Sequence, residues 1–255
     1  MAIFLYDKTL DGLLSCIFFS YEQKIVPEAI LSQDAQRSFL MDEVYTISAD
    51  TKKAGRVWSG LEKKISKIAQ NMLLLVWLSE LPEVEMLLFR YICKVIDAPK
   101  GYEMNFGDED VIRVKEITRK VAGESRKFIQ FVRFQRTADN IYFAPIAPRF
   151  NILSLIVSHF EARYADQQWI IYDTNRNSGI YYDKATTRYI SFSEKDFTAL
   201  KSGIIEEEKL SDEEILFQKM WKEYFQSITV KERINLKLQR QNMPKRYWKY
   251  LTEVQ

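Results

Sequence analysis

The sequence predicts an α+β protein with a central, mostly antiparallel sheet that follows a strand and several helices and precedes C-terminal helices. Three observations predict this class. Apolar residues recur every three or four positions over much of residues 58–127, which is typical of helices. The period changes to two at Phe128, and short apolar runs separated by turn residues continue to Phe192. The predicted order of these later elements, β-β-α-β-β-β, favours antiparallel neighbours with one helix on a face of the sheet.

The composition indicates a folded globular chain. Of its 255 residues 47% are hydrophobic and only 8 are Gly and 6 Pro, which excludes the collagen-like and disordered classes. The 37 Lys and Arg nearly balance the 35 Asp and Glu, so the net charge of +2 excludes a polycation that coats nucleic acid by bulk charge. The length fits either two small domains, which we place at residues 1–127 and 128–255, or one compact domain.

The small number of cysteines and histidines limits the metal sites that the chain can form. Cys16 and Cys93 lie in apolar runs, which predicts buried thiols in the reducing cytoplasm and not a disulfide. Two Cys and one His build neither a usual structural zinc site nor a four-Cys iron–sulfur site, which leaves open only a carboxylate site for Mg²⁺ or Ca²⁺. We therefore assign no metal and no cofactor. The apolar runs are shorter than the roughly 18–20 residues that cross a bilayer, so we expect neither a membrane span nor a signal peptide.

The first half is predicted to open as strand, helix and strand and to continue with helices. Ile3–Tyr6 predicts a strand, residues 7–9 offer a cap for a helix over Leu10–Gln23, and Tyr45–Ser48 predicts a second strand. Three amphipathic helices follow. They run along the stripe Trp58, Leu61, Ile65, Ile68, Met72 and Leu75, from Pro82 to about Asp97, and over Asp108–Lys127.

The second half is predicted to form the main sheet. Phe128–Phe134 and Ile141–Phe143 alternate as the two strands of a hairpin, and Ala138–Asn140 supplies its turn. Asn151 is the predicted cap of a helix that ends near Tyr164. Further strands are predicted at 169–172, 180–182 and 188–192, and further helices near 211–226, 230–242 and 244–252.

The most informative anomaly lies on the helix predicted after Asn151. At about 100° per residue, His159 and Arg163 fall in the centre of its apolar stripe. A buried Arg is costly unless it meets a carboxylate or an anionic ligand. Asp173, at the end of the next predicted strand, is the best candidate carboxylate, and the turn after it brings Arg176 close. The cluster is either a functional pocket, in which His159 and Asp173 are catalytic, or a structural network that pins helix to sheet.

Two further sets of cations indicate anion binding. Arg149 stands just ahead of the same helix, where a cation beside free N–H groups suits phosphate or carboxylate, although an ordinary surface Arg fits too. Near the C-terminus, cations and aromatics are mixed in a way that suits phosphate neutralisation and base stacking. These cations are Arg233, Lys237, Arg240, Lys245 and Arg246. The alternative is a solvated helix face whose aromatics dock into the sheet.

Motifs of known catalytic sites are missing from the sequence. It contains no Walker loop, no G-x-G-x-x-G and no G-x-S-x-G elbow. A nucleophilic hydrolase is therefore disfavoured, and whether the chain is an enzyme stays open.

Six segments carry a resemblance to a known family: Tyr6–Gly12, Phe131–Phe134, Pro148–Phe150, His159–Tyr164, Trp169–Arg176 and Met243–Trp248. Over nearly the whole chain, the sequence resembles the bacterial family of uncharacterised proteins labelled probable DNA metabolism protein. The resemblance implies a neighbouring gene for a radical-SAM protein that acts on DNA and, in some lineages, fusion to a uracil-DNA glycosylase-like domain. It implies no reaction and no catalytic residue. Because the chain lacks a three-cysteine cluster motif, radical chemistry would belong to the partner.

Three functions stay open at this point. The first is a DNA repair or modification accessory that binds DNA and works with the radical-SAM partner. The second is an enzyme acting on a DNA base or nucleotide, in which Arg163 and Arg176 hold phosphate and His159 or Asp173 moves a proton. The third is a non-catalytic scaffold of the partner.

Overall fold

The computed structural model describes residues 2–34, 43–193, 207–230, 234–251 and 253. It divides the chain into two compact units, Met1–Ala122 and Gly123–Gln255. The mixed α+β class predicted from the sequence is confirmed, and each unit has a sheet of its own.

Unit 1 is built on a small parallel sheet. Strands β1 (Ala2–Tyr6), β2 (Ala29–Ser32) and β3 (Glu43–Thr46) lie in the order β2-β1-β3, and both neighbours of β1 run parallel to it. Helix α1 (Leu10–Gln23) follows β1, and the Thr9 side chain caps it by accepting a hydrogen bond from the Gly12 N–H. The sequence predicts β1 and α1 correctly. It does not predict β2, which is only four residues long, and it places β3 two residues late.

One predicted helix of unit 1 is in fact two. Helix α2 (Thr51–Lys64) ends where Ile65 turns to extended backbone, and Ser66 then caps α3 (Lys67–Trp77) by accepting from the Ala69 N–H. The single stripe from Trp58 to Leu75 is therefore wrong. The break changes the phase of the buried side, so that α3 buries Ala69, Leu73 and Val76 and leaves Ile68 in solvent.

The next helix, α4 (Val84–Asp97), ends where the sequence predicts but begins two residues after Pro82. A short 3₁₀ helix (Tyr102–Met104) then leads to α5 (Glu109–Phe131). Cys16 is buried and Cys93 is half-buried, both are free thiols, and burial raises their pKa values to about 12 and about 11.

Helix α5 continues beyond Lys127, so the predicted strand Phe128–Phe134 is wrong. Phe128 and Phe131 fit helical spacing as well as alternation, and both rings pack on Tyr247, at centroid distances of 5.0 and 5.5 Å. That contact favours the helix because helical spacing places both rings on the side that faces Tyr247, where Phe128 is buried and Phe131 is half-buried. The strand that remains, β4 (Gln135–Arg136), has two residues.

Unit 2 contains a five-stranded mixed sheet in the order β4-β5-β6-β7-β8. Its strands after β4 are β5 (Tyr142–Ile146), β6 (Trp169–Asp173), β7 (Ser178–Tyr182) and β8 (Thr187–Ile190). Neighbouring strands are antiparallel except β5 and β6, which run parallel and are joined by helix α6 (Leu153–Arg163). The predicted mostly antiparallel sheet with one helix is confirmed. Ile152, and not Asn151, occupies the cap position of α6, and no side chain caps it.

Helical elements form the C-terminal part of unit 2. In the described ranges from residue 207 onward they are α7 (Asp212–Ile228), α8 (Leu236–Asn242) and two 3₁₀ helices, Glu207–Lys209 and Lys245–Tyr250. The helices predicted near 211–226, 230–242 and 244–252 correspond to α7, α8 and the second 3₁₀ helix. Within the described ranges, no helix is both long and apolar enough to cross a membrane.

An ionic cluster joins α4 to the start of α5 in unit 1. Arg90 Nη2 and Lys94 Nζ each lie 2.8 Å from a carboxylate oxygen of Asp110, and Lys94 also lies 2.6 Å from Asp108 Oδ2. Burial opposes ionisation of Asp110, but the hydrogen bonds from Arg90 and Lys94 outweigh it and hold the pKa below its ordinary value.

The ionic cluster predicts that the stability of unit 1 falls at acid pH. An Asp with a lowered folded-state pKa stabilises the fold above its unfolded-state pKa, and this contribution is lost as pH falls through the folded-state value. Asp110→Asn should therefore lower the free energy of unfolding at pH 7, and the difference from wild type should shrink below about pH 4. Urea denaturation over a pH series measures it. Asp34→Asn, at an exposed position, is the control, and a difference that is constant with pH would contradict the prediction.

Candidate functional site

The carboxyl ends of β5 and β6 lie side by side because these strands are parallel, with Ile146 opposite Asp173. The loops that follow the two strands, residues 147–150 and 174–177, therefore meet at one edge of the sheet. This edge is where parallel strands usually present functional side chains.

Asp173 is fully buried at this edge. Its Oδ2 accepts a hydrogen bond from Arg176 Nη1 at 2.8 Å, and its Oδ1 accepts one from the Asn175 N–H at 2.8 Å. Burial raises the pKa of the Asp173 carboxyl, and the hydrogen bonds from Arg176 and Asn175 act against that rise. The predicted proximity of Asp173 and Arg176 is thus confirmed.

Arg176 ties the buried carboxylate to the loop after β5. Its Nη1 also lies 3.3 Å from the carbonyl oxygen of Pro148, and its Nη2 donates to the carbonyl of Arg149 at 3.1 Å. Asn175 Nδ2 donates to the same Pro148 carbonyl at 2.8 Å. The loop carrying Arg149 is therefore held by side chains from the turn after β6.

A second buried carboxylate, Glu124 of α5, holds the same loop from the other direction. It accepts hydrogen bonds from the backbone N–H groups of Arg149 (3.2 Å) and Phe150 (2.9 Å). Arg246, from the C-terminal 3₁₀ helix, places Nη2 2.7 Å from Glu124 Oε1, while its side chain stays half-exposed. Sequence reasoning missed Glu124, whose only signal is an acid on the inward side of an amphipathic helix.

We call Arg149, Arg176 and Arg246 the arginine cluster. Its two carboxylates, Glu124 and Asp173, are buried, whereas Arg149 and Arg246 are exposed at the surface. The guanidinium of Arg149 lies 5.5 Å from the Phe150 ring centre, and that of Arg246 lies 4.9 Å from the Tyr247 ring centre. Three cations against two acids leave one net positive charge, and the part that reaches solvent is cationic.

The prediction for His159 and Arg163 is wrong in its geometry. Helix α6 buries Leu153, Ile156 and Phe160, whereas His159 and Arg163 are exposed. The buried side is centred about a quarter turn from His159, because Leu153 lies on it together with Ile156 and Phe160 of the predicted stripe. The structure therefore does not place this imidazole and guanidinium in a buried cluster with Asp173.

The predicted C-terminal cations have different surroundings. Lys237 and Arg240 are exposed on α8, Lys245 is exposed beside Arg246, and Arg233 lies outside the described residues. Of the aromatics mixed with them, Tyr247 and Tyr250 are buried, and Trp248 is half-buried with its Nε1 donating to the Met243 carbonyl at 2.9 Å. Tyr247 packs on α5, and the Tyr250 hydroxyl lies 3.2 Å from Thr174 Oγ1. The predicted stacking of bases on these two rings is therefore not supported, and the alternative of docked aromatics fits.

The described residues offer no metal site of His, Cys, Asp or Glu side chains. No group of three or more His, Cys, Asp or Glu side chains there could hold a metal ion.

Residues 82–253 match the family model DUF4130, a domain of unknown function. The match covers well over half of the chain and includes the arginine cluster and both of its carboxylates. No curated protein matches the chain.

The hydrogen bonds of Arg176 to Asp173 and to the carbonyls of Pro148 and Arg149 predict that Lys cannot replace Arg at this position without loss of stability. Lys retains the charge but lacks the planar fork that reaches Asp173 and two carbonyls at once. Arg176→Lys should lower the free energy of unfolding by about 1–2 kcal/mol, measured by urea denaturation. The matched control is Arg188→Lys, since Arg188 pairs with Asp183 at 2.9 Å on the exposed surface. Its effect should stay below about 0.5 kcal/mol, and equal losses in the two variants would contradict the prediction.

Proposed function

Because the chain belongs to the DUF4130 family, whose function is unknown, we propose its function from the geometry of the arginine cluster. The chain binds nucleic-acid phosphates through this cluster. On its resemblance to the proteins labelled probable DNA metabolism protein, we further propose that it is a DNA repair or modification accessory that works with a radical-SAM partner.

The observation that carries the proposal is that the buried Glu124 holds the guanidinium of Arg246 and the backbone of Arg149, two arginines that are exposed at the surface. Arg binds phosphate through two parallel N–H groups, and a side chain that is already held loses less conformational entropy on binding. Glu124 holds the half-exposed Arg246 in this way. The loop that carries Arg149 is fixed through its backbone, so the exposed Arg149 side chain starts from a defined position.

Neighbouring cations extend the positive surface. Lys245 precedes Arg246, and Lys249 follows one turn later, with Nζ 4.6 Å from the centre of the Tyr250 ring. With Tyr247 and Tyr250 buried and Trp248 half-buried, the cations are the groups of this 3₁₀ helix that are most exposed to a ligand. Contacts to phosphates carry no sequence information, so we expect binding that is strongly salt-dependent and weakly sequence-dependent.

The same geometry disfavours the alternative of an enzyme that uses Asp173 as a base. The Asp173 carboxylate is enclosed, and Arg176 and Asn175 already occupy its two oxygens. A general base must come within hydrogen-bond reach of the proton that it removes. His159, exposed on α6, lacks the buried acid partner that the sequence predicts for it.

Removing the exposed cations tests DNA binding. The variant Arg149→Ala/Lys245→Ala/Arg246→Ala should bind a fluorescent 20-base-pair duplex about tenfold or more weakly than wild type, by anisotropy. The loss should be similar for unrelated DNA sequences, and the salt slope should fall by about one for each phosphate that is no longer neutralised. Circular dichroism shows whether the triple variant is folded. If it is not, the double variant Arg149→Ala/Lys245→Ala replaces it, because this variant keeps Arg246 as the partner of Glu124. The control is Lys63→Ala/Lys67→Ala on unit 1, which should bind DNA like wild type. Equal DNA affinity of the cluster variant and wild type would overturn the proposal.

Pull-down with the radical-SAM protein tests the partnership. We expect complex formation that is stronger when duplex DNA is added, because the chain would tether its partner to DNA. Complex formation that is independent of DNA, from a chain that binds no DNA, would instead support the scaffold. The absence of a complex under both conditions would contradict the partnership and leave the DNA-binding proposal to its own test.

A further inference from the structure

Helix α7 has two apolar faces, and the first is covered by the sheet of unit 2. Ile215 packs against the small core cluster of Phe143, Tyr172 and Leu210. On the same face, Glu214 Oε2 accepts from the Arg136 N–H at 3.1 Å, and Gln218 Nε2 lies 3.4 Å from Gln135 Oε1. These contacts hold the first face of α7 against β4 and the core cluster.

The second face of α7 is largely exposed, and at its centre Trp221 Nε1 lies 3.4 Å from Glu253 Oε2. Phe217, Trp221, Tyr224 and Ile228 are 71%, 40%, 53% and 54% exposed, and they follow one another at steps of four, three and four. That spacing forms one stripe along a helix and is the seam spacing of a coiled coil. The Trp221 and Tyr224 rings stack with their centroids 5.7 Å apart, so the centre of the stripe is one continuous aromatic surface.

The size of this surface exceeds what a monomer usually exposes. Leu216 and Met220 flank the stripe on α7, and Val230, Ile234, Leu236 and Leu238 expose about half of their surface beside its end. At about 100 Å² each, these ten side chains present about 1,000 Å². The largest apolar patch of a typical monomer is about 300–600 Å², and each subunit of a stable dimer buries about 800 Å².

We propose that this face is a self-association surface, on which α7 of one copy packs antiparallel against α7 of a second copy. In an antiparallel pair with seam spacing, Phe217 lies opposite Ile228 and Trp221 lies opposite Tyr224. The four stripe residues thus satisfy one another through a two-fold axis, as an isologous interface requires.

The charges of α7 favour a second copy over nucleic acid. The helix carries four acidic and two basic residues, a net charge of −2, which repels phosphates. Asp212, Lys219 and Glu223 lie on the helix side opposite the stripe. Glu213, one turn before Phe217 on the stripe side, is paired with Arg136 of its own chain. This inference is independent of the proposed DNA binding, which uses other side chains.

Light scattering on the full chain tests the proposal. We expect a mass of twice 30.2 kDa over a dilution series, and a single-chain mass for Phe217→Glu/Tyr224→Glu. Circular dichroism shows whether that variant is folded, and the milder Phe217→Ser/Tyr224→Ser replaces it if it is not. The matched control is Ile68→Glu, at an exposed apolar position of α3 in unit 1, which should leave the dimer intact. A wild-type chain that is monomeric at every concentration, or a dimer that survives both seam variants, would overturn the proposal.

Disulfide trapping tests the antiparallel register. Under mild copper-phenanthroline oxidation, Phe217→Cys/Ile228→Cys should form a covalent dimer, and neither single variant should do so. Cross-linking of each single variant instead would show a parallel pair and contradict the antiparallel arrangement.

Discussion

One buried carboxylate organises the surface of unit 2 that we assign to binding. Glu124 receives two backbone N–H groups from the loop after β5 and the guanidinium of Arg246 from the C-terminal 3₁₀ helix. A buried acid is costly unless its oxygens are satisfied, so the helix, the loop and the C-terminal segment are held in one arrangement. That requirement fixes the guanidinium of Arg246 and the backbone of Arg149.

The arrangement also separates two roles that the sequence mixes in its C-terminal segment. Tyr247 and Tyr250 are buried against α5 and Thr174, while Lys245, Arg246 and Lys249 remain at the surface. The rings supply the apolar area that anchors the segment, and the cations supply charge. A ligand of this segment therefore meets a mainly positively charged surface, in which Trp248 is the one half-exposed ring.

The elements predicted correctly are those whose signal is local. Strands β6 and β7 follow from short apolar runs between turns, and the Asp173–Arg176 pair follows from a spacing of three residues across one turn. Two errors come from distant contacts. Tyr247 decides that Phe128 continues a helix, and the sheet decides which side of α6 is buried. The role of Glu124 was not predicted for the same reason, because its partners Phe150 and Arg246 are distant in sequence and only the fold brings them close.

The shortness of β4 has a consequence for how the sheet ends. An edge strand normally offers a row of unpaired N–H and C=O groups to other chains. Here the outward N–H of Arg136 is bound by Glu214, its carbonyl accepts from the Ser211 N–H at 3.0 Å, and Thr137 forms a bridge with Leu210. This border of the sheet is thus closed by the chain's own later segment, which guards unit 2 against strand addition and the aggregation that strand addition starts.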